Sequence, residues 1–338
     1  MDKKNNHIEL DKYESASLIF QMKKASSNSK KSNKLNLHIS LILFKILVLL
    51  NNCFLLCNKG NNSNNKNNNS NKSMKHAILL LSSYGISYMN NFLSQFNNDK
   101  RFDIYIHIDG KTKIDIENNK TITRAKIRYI KHLFKAKRFS IKMVDAMFEL
   151  LSIANKTDNY DFFHYFSDSC YLIKTLDEFY QFFIDNNNKS YMSYHLEKYF
   201  LYKGKPFILY KGSQWMSLHS NIVYKLLDNI NLFHKYKAAL QKKIIKLVYG
   251  APDEFIIQHI IVNDICKRKP QKYNVINKNL RFTRWRNCRR IHCPNYLDIN
   301  NFSEREIKNI HKSNNLIMRK INYENYKSID LVNRLKGE

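Results

Sequence analysis

"KHAILLLSSYGISYMNNFLSQFNNDKRFDIYIHIDGK", residues 75–111, contains one full turn of an alternating architecture. "AILLLSS" is a continuous apolar run of buried-strand length, "SYMNNFLSQF" is amphipathic with helical spacing, and "FDIYIHID" reads as a second strand. Strand, helix, strand predicts an α/β sheet covered by helices. The pattern continues downstream. "KIRYIKH" is a further strand, and Ser140 is expected to cap a helix through "IKMVDAMFELLSIANK" with Ile141, Val144, Met147, Phe148 and Leu151 on one side. "YDFFHYFSD" follows as a strand, "LDEFYQFFID" as a short helix, and "KSYMSYHL" and "KPFILYKG" as later strands. Helices are expected over 219–247 and 252–265, and no internal repeat appears.

Upstream of Lys75 the texture is different. Residues 1–35 are polar, lysine-rich and read as disordered, and 36–57 form an apolar stretch long enough to cross a bilayer. Lys45 near its middle costs about 2.5 to 3.5 kcal/mol on insertion scales, which makes it a flawed anchor. The flanking charges place the amino terminus inside by a slight lysine excess. Residues 58–73 are an Asn-rich tract that cannot build a core. The globular domain is expected over 74–325, with 326–338 as a carboxy-terminal tail; Met74 is an alternative start for the functional product.

The chain has 338 residues, 43% of them hydrophobic, enough for a core of ordinary domain size. Lys plus Arg number 57 against 28 acids. The first 73 residues carry 12 bases and 4 acids, so a net +21 remains on the globular part. Such a surface favours an anionic partner: nucleic acid, membrane or a phosphorylated small molecule. Six scattered cysteines do not make a disulfide framework, so reduced thiols and a reducing compartment such as a bacterial cytoplasm are expected, with a type II Golgi protein as the alternative. "CRRIHCP" brings Cys288, His292 and Cys293 together but lacks a fourth zinc ligand.

With only 7 glycines, the chain holds no G-x-G-x-x-G, no Walker loop and no G-x-S-x-G elbow. Bound phosphates would therefore be met by side-chain cations, of which Arg281, Arg284, Arg286, Arg289, Arg290, Arg319 and Lys320 are candidates. Ligands of α/β sheets sit beyond the carboxyl ends of strands. "IHIDGK" puts His107, Asp109 and Lys111 at such an end, suited to a ribose and a diphosphate; read alone, it is also an ordinary strand-to-turn junction. "SDSCYLIKT" closes another strand and reads equally as a helix N-cap region. In "YKGSQWMSLHS", Trp215 offers a sugar ring a stacking surface beside Ser213 and Gln214, or packs in the core. In "GAPDEFIIQH", Asp253 and Glu254 follow Pro252, where helix chemistry alone accounts for acids in a first turn.

Taken in order, "IHIDGK", "FSDSCYLIKT", "GSQWMSLHSNIVYKLL", "APDEFIIQHII", "LRFTRW" and "NLIMRKI" resemble the motif succession of the core-2/I-branching β-1,6-N-acetylglucosaminyltransferase family, which also includes peptide O-xylosyltransferases. The likeness runs from about Lys75 to Asn322. It implies a GT-A-like, Rossmann-like fold with a mixed central sheet, an inverting transfer from a UDP-sugar to a glycan or glycoconjugate hydroxyl, and no metal or other cofactor. By resemblance Glu254 is the general base, and Arg281, Arg319 and Lys320 bind the donor diphosphate. His107, Asp109 and Lys111 would serve the nucleotide, and Ser213, Gln214, Trp215 and Asp253 the sugar or acceptor. The chain departs from the family at Cys170 and Leu172, where many members have aspartate and proline, and in "FKAKRFS", which lacks their tryptophan-glycine pair. A basic module for nucleic acid or anionic membrane is the alternative of a different class; no nucleic-acid motif supports it. A transferase that binds without catalysing is the third.

Overall fold

The computed structural model describes residues 73–83, 86–96, 99–108, 127–130, 140–202, 205–241, 251–285 and 296–336. The expected segments 1–35 and 36–57 and all of the 58–73 tract except Ser73 lie outside them, as do Asp109, Lys111, Arg286 and the 288–293 cluster with Arg289 and Arg290. Among the described residues no helix is long and apolar enough to cross a membrane.

The opening stretch folds as its pattern predicts. β1 (His76–Ser82), α1 (Ile86–Ser94) and β2 (Phe102–Ile108) follow one another, and β3 (Ile127–Ile130) continues the sheet. Then come α2 (Ile141–Thr157), β4 (Phe162–Ser167), the short β5 (Tyr171–Leu172), α3 (Leu176–Asp185) and β6 (Ser190–Met192). β7 (His195–Tyr202) and β8 (Lys205–Lys211) pair as an antiparallel hairpin, and β9 (Ser217–His219) leads into α4 (Ser220–Asp228) and α5 (Ile230–Gln241).

Among the described residues the main sheet has seven strands in the order β10-β6-β9-β4-β1-β2-β3, where β10 is Val275–Asn277. β1, β2, β3 and β4 are mutually parallel, while β9 runs antiparallel to β4 and β6, making the sheet mixed. All seven residues of β1 are buried, the mark of a central strand covered on both faces. Its odd-numbered residues Ala77, Leu79 and Leu81 pack with α2, α4 and residues 256–265, whereas Ile78 and Leu80 face α1 and α3. Each large side chain fully buried in these layers contributes about 1.5 to 3 kcal/mol. Ser140 occupies the N-cap position of α2, yet its side chain makes no cap hydrogen bond. Thr175 by contrast forms a complete capping box with Glu178.

Two expectations are corrected. Residues 326–336, set apart as a tail, form α8 (Tyr326–Lys336), whose Leu331, Val332 and Leu335 are buried with Ile307 and Ile310 of α7 (Glu304–Lys312). The apolar side chains spaced through "IDLVNRL" supply the reason. Residues 252–265, expected as one helix, form a 3₁₀ turn Pro252–Glu254, a single α-turn Ile256–His259 (α6) and a π segment Ile260–Ile265. Phe255, at φ −122° and ψ −51°, interrupts the first junction.

The π segment has a local cause. His259 and Asp264, five residues apart, both reach Tyr236 of α5: His259 Nε2 lies 3.1 Å from its hydroxyl, which donates to Asp264 Oδ2 at 3.0 Å. In an α-helix, positions five apart diverge around the axis by roughly 140°. The wider π turn brings them to one partner. Finally, β11 (Arg281–Thr283) and β12 (Ile317–Arg319) pair in parallel, and β12 runs antiparallel to β5.

Candidate active site

The chain leaves β1 for β2 and β3 on one side, then returns at β4 on the other. Strand order therefore reverses between the carboxyl ends of β1 and β4, the position where open α/β sheets take ligands. A buried carboxylate marks it. Asp168, directly after β4, accepts from Ser82 Oγ at 2.9 Å and from Ser83 N at 2.7 Å, tying the two strand ends together. His107 on β2 is buried at the same height, since Leu81 pairs both with it and with Ser167.

The far end of the chain is docked at this turn. Ile321 N donates to Ser169 O at 2.9 Å, and Tyr323 Oη donates to Cys170 O at 2.8 Å. These bonds set Arg319 and Lys320, which are half-buried, beside the carboxyl end of β4. The Lys320 ammonium lies 4.9 Å from the ring centroid of Tyr296, an exposed aromatic. Cys170, where many family members have aspartate, is a buried free thiol.

Glu254 stands on the 3₁₀ turn rather than in the first turn of a long helix, so a helix dipole accounts for little of the acidic pair. Its neighbour Asp253 is buried at 6% exposure, whereas the Glu254 side chain is 30% exposed. Lys211 at the end of β8 sits 3.5 Å from Glu254 Oε2.

The backbone of Glu254 is latched to the next loop. Gly212 N donates to Glu254 O at 2.8 Å, and one turn on, Gln258 Nε2 donates to Ser213 O at 2.9 Å. Only glycine fits at 212, because a Cβ there would stand 1.7 Å from Ser193 O. Ser193 Oγ in turn accepts from Ser213 N at 2.9 Å, and Ser213 Oγ accepts from Trp215 N at 3.2 Å. Glu254 and the Ser213–Trp215 loop thus form one braced unit. Within it Gln214 Oε1 and Gln258 Oε1 are buried without a hydrogen-bond partner.

Arg281 and Trp215 occupy surroundings that composition does not reveal. Arg281 is 5% exposed; its Nη1 donates to Trp215 O at 2.7 Å and its Nη2 to Tyr165 O, with the guanidinium 5.1 Å from the Phe166 ring centroid. Burial pulls its pKa down to about 10, still far above neutrality. Trp215 is 8% exposed, and the Arg319 guanidinium lies 4.4 Å from its ring centroid.

Contacts therefore run without a break from Glu254 through Gly212 and Ser213 to Trp215, and from Trp215 to both arginines, with Lys320 adjacent to the second. Lys211, Gln258, Asp168 and Tyr296 belong to this neighbourhood and were not singled out in the sequence. Lys211, Asp168 and Gln258 stood inside quoted motifs; nothing marked Tyr296. Among the described residues no cluster of three His, Cys, Asp or Glu side chains is arranged to hold a metal ion.

The Core-2/I-Branching enzyme family model matches residues 83–205. That span includes the Asp168 turn and ends before Gly212, Glu254, Arg281 and Lys320. Comparison with curated proteins gave no match. Among solved structures, TarS from S. aureus superposes with a TM-score of 0.28 at 13% identity, over 35% of this chain and 21% of that one. HddC from Yersinia pseudotuberculosis gives 0.27 at 11% identity, over 44% and 79%. The apo-form glycosyltransferase GlyE of Streptococcus pneumoniae gives 0.33 at 11% identity, over 78% and 64%. The chain spans less than two thirds of TarS and of GlyE, and superpositions this loose carry no argument. Over residues 83–205, therefore, the chain is similar to the Core-2/I-Branching enzyme family.

Proposed function

We propose that the protein is an inverting, metal-independent transferase of GT-A-like fold that moves a sugar, GlcNAc or xylose first, from a UDP donor to a hydroxyl of a glycan or glycoconjugate. The observation that carries this reading is the latch between Glu254 and the loop ending at Trp215, over which Arg319 lies. It supports the reading by linking a solvent-reachable carboxylate, through backbone bonds, to the loop whose indole Arg319 covers.

In the proposed step the acceptor oxygen attacks the anomeric carbon while its proton passes to Glu254. The bond from that carbon to the diphosphate breaks, and UDP leaves with the electron pair. One base suffices for a single displacement, whereas a glycosidase needs two carboxyl groups on opposite sides of the bond. Asp253 is buried and does not supply a second one. Lys211, 3.5 Å away, orients the Glu254 carboxylate. Charge developing on the diphosphate meets Lys320 and Arg319, and a preorganised donor of this kind is worth about 3 to 4 kcal/mol of barrier. Membrane attachment through residues 36–57 is part of the proposal, checked by whether the full chain resists carbonate extraction.

A thermal-shift screen over UDP-GlcNAc, UDP-xylose, UDP-galactose and UDP-glucose, run with a chelator, tests the reading. A ligand at 100 times its Kd stabilises by about 2.7 kcal/mol. A shift that survives the chelator is expected for at least one donor; none for any donor, or a shift restored only by added metal, would contradict it.

A further inference from the structure

The candidate site lies at the carboxyl ends of β1 and β4, and the chain enters the sheet at the opposite end, just before His76. There Lys75 is pinned: its N donates to Asp161 Oδ2 at 2.8 Å, and its ammonium pairs with Asp103 at 3.1 Å and with Asp158. Arg101, just before β2, pairs with Asp99 and Asp177. Beside β1 and β2, the cations of this amino end are thus matched by carboxylates.

The flank at β10 is different. His219 stands opposite Phe162, the first residue of β4, and its N donates to Ser190 Oγ, while Ser190 stands opposite Val275. The start of α4 and the residues leading into β10 therefore share the amino end. Here the π segment gives way at Cys266 to Lys267, Arg268 and Lys269, and Lys272 follows in the 3₁₀ turn Pro270–Tyr273; all four cations are exposed. Lys225 of α4 joins them, with its ammonium 5.6 Å from the Tyr273 ring centroid and the exposed Tyr224 beside it. From Cys266 to Leu297 the sequence holds no acid. Among the described residues no carboxylate comes within ion-pair distance of these five cations.

A helix end attracts a cation or two. That does not account for Lys272 in the next turn, for Lys225 on another helix, or for basic side chains at 267 and 268, whose φ of 50° and 60° suit glycine or asparagine better. The left-handed pair is fixed by Arg268 N, which donates to Val262 O at 2.8 Å. We propose that this flank, formed by Lys225, Lys267, Arg268, Lys269 and Lys272, rests on an anionic lipid bilayer. Near such a surface each cation is worth about fivefold in partition, and Tyr224 and Tyr273 are of the residue type that settles at headgroup level. Reach agrees with charge. β10 lies four strand spacings from β1, roughly 19 Å, and residues 58–72 span at most about 50 Å, so a bilayer holding the apolar stretch 36–57 is accessible to the flank. Nucleic acid would meet the same charge, but that apolar stretch favours lipid. Docked in this way, the protein turns the mouth between β1 and β4 away from the bilayer.

The full chain is incorporated by detergent removal into vesicles of phosphatidylcholine, alone or with phosphatidylglycerol, and lysine acetylation is followed by mass spectrometry after flotation. Lys225, Lys267, Lys269 and Lys272 are expected to react about fivefold more slowly on the anionic vesicles, and high salt should abolish the difference. Lys308 and Lys312, exposed on α7 beside the β12 sheet, should react alike on both. In a chain carrying Lys267→Glu, Lys269→Glu and Lys272→Glu, Lys225 should lose its protection while the melting midpoint stays, since the replaced side chains are exposed. Equal reactivity of the four lysines on both vesicles overturns the proposal. Protection shared by Lys308 and Lys312 does so too, because it reports attraction without orientation. Protection by a DNA duplex and by neither vesicle gives the surface to nucleic acid and contradicts the lipid partner. The proposal takes only proximity from the attachment through 36–57, and the two fail separately: resistance to carbonate with equal reactivity keeps the anchor and removes the flank, whereas protection with release by carbonate keeps the flank and removes the anchor.

Discussion

β1 runs for seven residues with every side chain buried, whereas β12, which carries Arg319, runs for three and finds its place by pairing with two other short strands. α2 spans seventeen residues; the segment bearing Glu254 changes helix type twice in fourteen. The scaffold of residues 76–185 is held by repeated apolar contacts, each replaceable by a similar one. The region around Glu254, Trp215 and Lys320 is held by single polar bonds to backbone atoms, such as Gln258 to Ser213 and Arg281 to Trp215. Damage to the first should lower stability without choosing a chemical step, and damage to the second should do the reverse.

Phe183→Ala is the largest test of the scaffold. That ring is fully buried against His164, Phe162 and Phe179, and its removal is expected to cost about 3 to 5 kcal/mol in urea unfolding while UDP affinity of the folded fraction persists. Lys320→Ala is its counterpart, expected to slow turnover by about 3 to 4 kcal/mol of barrier with an unchanged urea midpoint. A fall in stability as large as that of Phe183→Ala would erase the distinction.

Acid gives a milder test, again confined to the scaffold. His76 Nδ1 and His164 Nε2 lie 3.0 Å apart, both buried among aromatic rings of β1, β4 and α3. Burial pulls His76 down to about 3 and His164 well below its ordinary value. Above pH 6.5 both rings are neutral in either state, so stability is complete there. As pH falls below 6.5 the unfolded chain takes up protons the native one refuses, and stability drops by about 1.4 kcal/mol per pH unit for each such ring, continuing toward pH 3 for His76. Urea midpoints at pH 7.5 and 5.5 should show the loss, and His76→Phe should reduce it. Equal midpoints would mean that the rings are not held neutral.

The smallest effect is expected from Thr175→Ala, which breaks the capping box of α3. It should cost about 1 kcal/mol and leave UDP affinity untouched.

The same contrast explains what could be read in advance. β1, β2, β4, α1 and α3 announce themselves through apolar period and length, because burial on a regular element repeats. Residues 252–265 look helical, and the one sign of the π turn was the spacing of His259 and Asp264, meaningful only once Tyr236 is known to stand between them. Asp253 and Glu254 were visible as a pair, but their unequal exposure depends on the turn they occupy. Arg281 and Trp215 were legible as a cation and an aromatic. The burial of Arg281 was not, since its partners are the carbonyls of Trp215 and Tyr165, contributed by segments more than 60 residues away along the chain.

The most direct measurement compares Glu254→Gln with the unaltered protein, using the UDP-sugar that shifts its melting most. Transfer to acceptor is followed by mass spectrometry, and UDP binding by calorimetry. Loss of the base is expected to slow transfer by about 10²- to 10⁴-fold with UDP affinity kept within a factor of about three. Transfer at the unaltered rate would contradict the role given to Glu254, and with it the account of how this site works.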